Sequence, residues 1–303
     1  MGGLFMIKKQ RWWHILGKAV IVGGTMTVPG ASGGTMAMIL GIYEDLIESV
    51  GSLPGLLAEC LYSKDHSPAA AGSRRLAATL CFLALFCVGA LAGMVLLAGG
   101  VLSLLERYPV IVSYFFLGAV AGGIPLICRQ ANIKKITWQA LVWPLTGLFI
   151  VYWLAALPEG LFAAGLSDSM AATGISFLWQ FLFQFLGGCI LAIALILPGI
   201  SVSQMLLMLG LYEPVMTAVS QLHFASLIPL GVGAVLCTML VTRLLGDALK
   251  RRPQPTYLLI LGFVLGSLGE LYPGLPTGWN LLFAPLSAVA GYQLLSRLSR
   301  RAG

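Results

Sequence analysis

The sequence predicts an all-α integral membrane protein made of two inverted structural repeats, each a Pro-Gly-broken re-entrant helical hairpin plus three transmembrane helices. Three observations predict it. The first is composition: of 303 residues, 58% are hydrophobic and 10% charged, with mean hydropathy +0.93. A soluble domain carries roughly 25% charged residues to keep its surface wet. The second is an internal duplication. Residues 27–50 read TVPGASGGTMAMILGIYEDLIESV and residues 196–219 read ILPGISVSQMLLMLGLYEPVMTAV. The match resumes downstream, where Val88-Gly89-Ala90, Pro109, Gly118 and Gly122 align with Val232-Gly233-Ala234, Pro253, Gly262 and Gly266. The third is charge placement, because Lys and Arg sit in short runs at the ends of apolar segments.

Taken in order, the opening MGGLFMIKKQRWWH has neither the apolar core nor the small-residue cleavage site of a signal peptide. Insertion is therefore expected to rely on the apolar runs themselves. The first, 12–28, leads to Pro29-Gly30, and 31–61 continues beyond that break. Runs at 76–104, 110–128 and 137–157 complete the first repeat, assigned to residues 1–157. The second repeat, 158–303, opens with 176–197, breaks at Pro198-Gly199, continues through 199–222 and ends with 224–248, 256–272 and 281–296. A span needs ~20 apolar residues. Several of these runs are long enough to cross.

Orientation follows from the basic residues, which concentrate on the cytoplasmic side. Lys8, Lys9, Arg11, Lys64, Arg74, Arg75, Arg129, Lys134, Lys135, Lys250, Arg251, Arg252, Arg297, Arg300 and Arg301 are placed inside, with both termini. The connections 158–175 and 270–280 hold no Lys or Arg and are placed outside. Counting back from the C-terminus gives each Pro-Gly segment an even number of crossings. Each half then crosses an odd number of times in all, which inverts the second copy. Arg107 and Arg243 depart from the charge rule, each lying near or within an expected span.

Paired interruptions at matching positions of two repeats point to a transporter's binding site. Proline removes an amide donor and glycine frees the backbone. Such backbone survives at membrane depth only when surrounded by protein or a watery cavity. Ser32, Gly33, Gly34 and Thr35 follow the first break, and Ser201 and Ser203 follow the second. Free amides at a helix start, with small residues that admit close approach, bind anions. Close helix packing is the alternative use of such residues, and it explains the glycine pairs at 89/93, 118/122 and 262/266. Tyr43-Glu44 and Tyr212-Glu213 are read as closing the two post-break helices. A carboxylate at that depth serves proton or ion coupling or gating, or else caps a helix at the interface. Lys18 and Arg243 are candidate counter-charges for a phosphate, or snorkel to the interface.

Several function classes are excluded. The net charge of +7 reflects anchoring rather than nucleic-acid binding. Cys60, Cys81, Cys87, Cys128, Cys189 and Cys237 are scattered with no CxxC pair, which favours buried thiols over disulfides or metal ligands. His14, His66 and His223 have no ligand-like spacing. No H-E-x-x-H, G-x-S-x-G or Walker loop is present. Neither enzyme chemistry, a cofactor nor a metal is expected.

PGASGGTMAMILGIYE and PGISVSQMLLMLGLYE resemble the paired signatures of the bacterial and archaeal polyprenyl-phosphate translocase family, first catalogued as a membrane domain of unknown function. The resemblance covers nearly the whole chain. It implies recycling of undecaprenyl phosphate, the carrier lipid of cell-envelope synthesis, across the cytoplasmic membrane. It carries Pro29, Gly30, Ser32, Gly33, Gly34, Thr35, Tyr43 and Glu44 over from the first signature, and Pro198, Gly199, Ser201, Ser203, Tyr212 and Glu213 from the second. Val202 and Gln204 depart from the glycine-rich form, leaving the half-sites unequal with the first favoured. A secondary transporter of a small soluble anion and a non-transporting lipid-binding scaffold are the alternatives. The sequence gives no oligomeric state.

The topology has a direct test. Cysteine labelling on a cysteine-free background should find 62–75 and 129–135 cytoplasmic, with 158–175 and 270–280 outside. Labelling of 62–75 and 158–175 from one side would overturn the inversion.

Overall fold

The computed structural model describes residues 12–28, 32–62, 66–132, 138–157, 175–221 and 223–302, and among these there is no strand. Pro29, Gly30 and residues 158–174 lie outside the described residues. The first half carries α1 (Trp12–Thr25), α2 (Gly33–Ile39), α3 (Tyr43–Tyr62), α4 (His66–Arg107), α5 (Pro109–Gln130) and α6 (Trp138–Ala155). The second carries α7 (Ile175–Ile196), α8 (Val202–Leu209), α9 (Tyr212–Ser220), a 3-10 turn at Phe224–Leu227, α10 (Ile228–Arg251), α11 (Pro253–Leu271) and α12 (Asn280–Ala302). Element order is thus the same in both halves.

Five stretches are long and apolar enough to cross a membrane: Gly72–Arg107, Pro109–Gln130, Ala225–Arg251, Pro253–Leu271 and Asn280–Ser299. Ala140–Ala155 and Phe181–Ile196 are apolar but shorter. Together they mark a multi-pass membrane protein. The outer faces agree: Val95, Leu96, Phe149, Trp153, Leu281 and Leu282 are all exposed. An apolar surface of this extent is what a lipid-facing protein presents.

One expectation is corrected. The runs 31–61 and 199–222 each break into two helices, so Tyr43 and Tyr212 open α3 and α9 instead of closing α2 and α8. The cause is the glycine of the Leu-Gly-x-Tyr phrase. Gly41 and Gly210 take positive φ of 67° and 69°, the left-handed conformation that ends helices and that glycine adopts without penalty. The Ile42 N–H then donates to the Ala37 carbonyl (3.0 Å) and the Leu211 N–H to Leu206 (2.9 Å), the same closing bond in both copies.

Packing repeats with the sequence. The helix pairs α1/α4 and α7/α10 lie side by side within their halves, whereas α5 packs on α12 and α6 on α11, across the halves. Glycine sets these contacts at backbone distance. A Cβ on Gly118 would lie 1.8 Å from the Ala288 carbonyl oxygen, and one on the aligned Gly262 would lie 2.2 Å from that of Pro144. A Cβ on Gly147 would lie 2.4 Å from the Leu259 oxygen, and one on Gly291 would lie 2.1 Å from that of Phe115. At the centre lies α2. Met36, Ala37, Met38, Ile39 and Leu40 are at most 2% exposed and share one apolar core with α5 and α11.

Adding one methyl group at the interlocked glycines should unseat these pairs. Gly118→Ala and Gly262→Ala should each cost about 1–3 kcal/mol or more, because backbone cannot move aside as a side chain does. Gly99 faces open space, so Gly99→Ala should be neutral or stabilise by up to ~1 kcal/mol through its helix preference. Thermal unfolding of the three variants in one detergent gives the comparison; equal midpoints would contradict the packing described.

A candidate anion site at two broken helices

The second break is fully described. Helix α7 ends at Ile196, Pro198 is buried, and Gly199 takes φ +85°. A Cβ on Gly199 would sit 2.2 Å from the Phe263 carbonyl oxygen of α11, so only glycine fits there. Ser201 then caps α8 with extended backbone (φ −84°, ψ 123°), its Oγ accepting from the Gln204 N–H at 3.5 Å. In the first copy Ser32 holds the same backbone at the start of α2 (φ −84°, ψ 127°), but its hydroxyl makes no capping bond. Two near-identical helix starts therefore differ in what their serines do.

The first helix start abuts the second break. The space a Gly34 Cβ would occupy lies 3.4 Å from the Pro198 Cα and 3.5 Å from the Ile196 carbonyl oxygen. That oxygen is one of the last four of α7, which have no partner within the helix. It accepts instead from the Tyr43 hydroxyl at 2.7 Å, a bond buried with its side chain 3% exposed. Tyr212 is half-buried and makes no equivalent bond among the described residues. Gly33 faces the flexible end of Met26, whose Sδ lies 2.9 Å from its Cβ position.

Thr35 stands out electrostatically. Its hydroxyl is 1% exposed and has no hydrogen-bond partner. An unpaired buried hydroxyl costs about 1–3 kcal/mol, so the third residue of α2 carries a polar group that the protein itself leaves unsatisfied. Threonine both donates and accepts, which suits a phosphate oxygen.

The remaining candidates separate into two groups. Glu44 is exposed, yet its carboxylate accepts from the Tyr257 hydroxyl of α11 and, at 3.3 Å, from Gln130 Nε2 of α5. Glu213 and Ser203 are exposed on α9 and α8 without described hydrogen bonds. Lys18 is half-buried in α1 within electrostatic reach of Asp45. Arg243 directs its Nε–H to the Gly51 carbonyl of α3 at 3.0 Å, and Lys250 nearby pairs with Glu48 at 2.6 Å. These contacts fasten α10 to α3. Neither Lys18 nor Arg243 makes a described hydrogen bond to Ser32 or Ser201.

Sequence reading passed over Glu270. It lines a small pocket with Ser201, Gln204, Ile200 and Met205 from the second break and Val151, Leu154 and Ala155 from α6. Its repeat counterpart is Leu126, so the internal alignment hid it. The usable signal was a lone carboxyl closing an apolar run.

Comparisons with known proteins place the chain in a family. The undecaprenyl phosphate translocase-like family matches residues 22–280. A polyprenyl-phosphate transporter of Vibrio cholerae is 30% identical over 257 residues, which is 84% of this chain and 76% of the relative. A polyprenyl-phosphate transporter of Staphylococcus aureus is 30% identical over 287 residues, covering 92% of this chain and 93% of the relative. No solved structure matches.

The Tyr43 bond yields a prediction. Tyr43→Phe leaves the ring in place and strands the Ile196 carbonyl, so it should cost about 1–3 kcal/mol in thermal stability. Tyr212→Phe, lacking such a bond, should stay within ±0.5 kcal/mol.

Proposed function

We propose that this chain, which belongs to the undecaprenyl phosphate translocase-like family, returns a polyprenyl phosphate across the bacterial cytoplasmic membrane. Curated relatives that it matches over most of its length are named polyprenyl-phosphate transporters. In this reading the two halves, 1–157 and 158–303, are inverted repeats. Their Pro-Gly segments enter the membrane as hairpins and present α2 and α8 near midplane. The shortness of the arms supports the hairpin: α2 and α8 have 7 and 8 residues, about 11–12 Å at 1.5 Å rise, against an apolar core of ~30 Å.

The phosphate binds where Ser32, Gly33, Gly34 and Thr35 approach the Pro198–Gly199 break, with Ser201 and Ser203 on the opposite side. Pro29 and Gly30 are assigned to the same half-site by the family signature, and Lys18 and Arg243 supply positive potential at longer range. The polyprenyl tail stays in lipid along the exposed apolar flanks. Glu44, tied to both α5 and α11, and its counterpart Glu213 act as gating groups beside Tyr43 and Tyr212. Bonds to two helices suit a group that must let go when those helices move. No covalent chemistry and no cofactor enters this scheme.

The observation that carries the site is the unsatisfied Thr35 hydroxyl. It makes opposite demands on binding and stability. Thr35→Val keeps the shape and removes the orphan, so thermal stability should hold or rise. Polyprenyl-phosphate affinity should fall roughly tenfold to a hundredfold, for the loss of a hydrogen bond to a charged group worth ~1.5–3 kcal/mol. Native mass spectrometry of mildly solubilised protein should find the lipid on wild type and little on this variant. Equal occupancy would move the phosphate away from α2. Tight binding of inorganic phosphate without any lipid preference would favour a transporter of soluble anions.

A further inference from the structure

Glu270 sits in a pocket whose other walls carry no charge. Its helix α11 holds no other Lys, Arg, His, Asp or Glu, and the same is true of α6, α7 and α8. Among the described residues it makes no hydrogen bond or ion pair, although it is half-buried. The facing groups are polar or titratable only weakly: Ser201 and Gln204 across the pocket, and the Tyr152 hydroxyl beside Gly269. Next along the chain, the Tyr272 ring stands edge-on to Tyr114 of α5 at 6.3 Å. The charges of the other helices packed on α11 lie elsewhere. Those of α10, Arg243, Asp247, Lys250 and Arg251, fall in its last turns, which lead into the opposite end of α11, and Arg129 closes α5. Arg107, at the end of α4, lies over the Tyr108 ring, 5.8 Å from its centroid.

An ionised carboxyl facing Ser201 without a counter-ion repels a phosphate at that serine. A neutral carboxyl does the reverse, because its O–H can donate to the same phosphate. We infer that Glu270 is the proton-carrying group of the second half-site, which accepts the lipid phosphate at Ser201 only when Glu270 is protonated. The step balances simply: the carboxylate gains one proton from a buffer acid or hydronium as phosphate enters, and returns it to water as phosphate leaves. Each phosphate that passes thus takes one proton with it. Glu270 thereby makes affinity at Ser201 depend on pH, a property that Leu126, its counterpart, cannot give the first half-site. The inference rests on the phosphate reading above, and the test separates the two.

The test uses the full-length protein in detergent with farnesyl phosphate as the probe, titrated by calorimetry between pH 7.5 and 9. The phosphomonoester has a second pKa near 6, so the probe is a dianion throughout this range. Wild-type affinity should fall as pH rises, by up to tenfold per unit once Glu270 is ionised in the free protein. Repeating the titration in buffers of different ionisation enthalpy should give close to one proton taken up per probe bound. Glu270→Gln should bind with little pH dependence and no proton uptake, while Glu106→Gln, at an exposed site far along α4, should behave as wild type. The wild-type proton count stands as a test even where Glu270→Gln does not fold. No uptake by wild type, or the same uptake by Glu270→Gln, overturns the assignment. So does a wild-type affinity that depends on sodium in place of pH. Absence of binding by wild type and every variant strikes the phosphate reading itself.

Discussion

Lipid cannot hydrogen-bond a peptide group, and that constraint organises this molecule. Breaking a helix at Pro198-Gly199 leaves the last carbonyls of α7 and the first amides of α8 without partners inside their own helices, and a membrane protein must meet such groups with protein or a watery cavity. The Tyr43 hydroxyl meets one of those carbonyls, 153 residues away in sequence. Residues 35–39 of α2 are buried against α5 and α11, which surrounds most of that helix with protein. At the second break a backbone carbonyl is thus satisfied by a side chain from the first half of the chain, which ties the two halves together.

Duplication supplied the framework and divergence furnished it unevenly. Both post-break helices start with the same serine backbone, yet Ser201 caps its helix and Ser32 does not. Thr35 is buried and unpaired where the other copy has Gln204. Glu44 is tied to two helices while Glu213, equally exposed, has no described hydrogen bond. Unequal halves on a repeated frame thus give the two helix starts chemically different surroundings.

What the sequence revealed follows from what a local pattern can encode. Composition gave the membrane class because bilayer insertion depends on summed hydropathy, and the duplicated Pro-Gly phrase marked both breaks. The glycines at 118 and 262 were legible as packing positions, and their aligned contacts bear that out. The stop at Gly41 and Gly210 was missed because an apolar run reads through glycine, and only the backbone conformation shows the left-handed turn. Three-dimensional pairings were beyond reach for another reason. Tyr43 with Ile196, Glu44 with Tyr257, and Arg243 with Gly51 each join distant segments through one side chain, and no periodicity records such bonds. Glu270 escaped because repeat alignment rewards sameness, and its importance lies in difference.

The exchange of helices across the halves bears on assembly. Each half sends its glycine-faced helices to the other: α5 receives α12, and α11 receives α6. A chain holding one copy alone would leave those backbone-deep grooves open to lipid. Two separate copies could fill them only by trading helices, as swapped protomers do. A single copy built on these contacts would be stable only as an intertwined pair, and here that partnership lies within one polypeptide. Within one chain the two copies need not be identical, and Leu126 of one stands where Glu270 stands in the other.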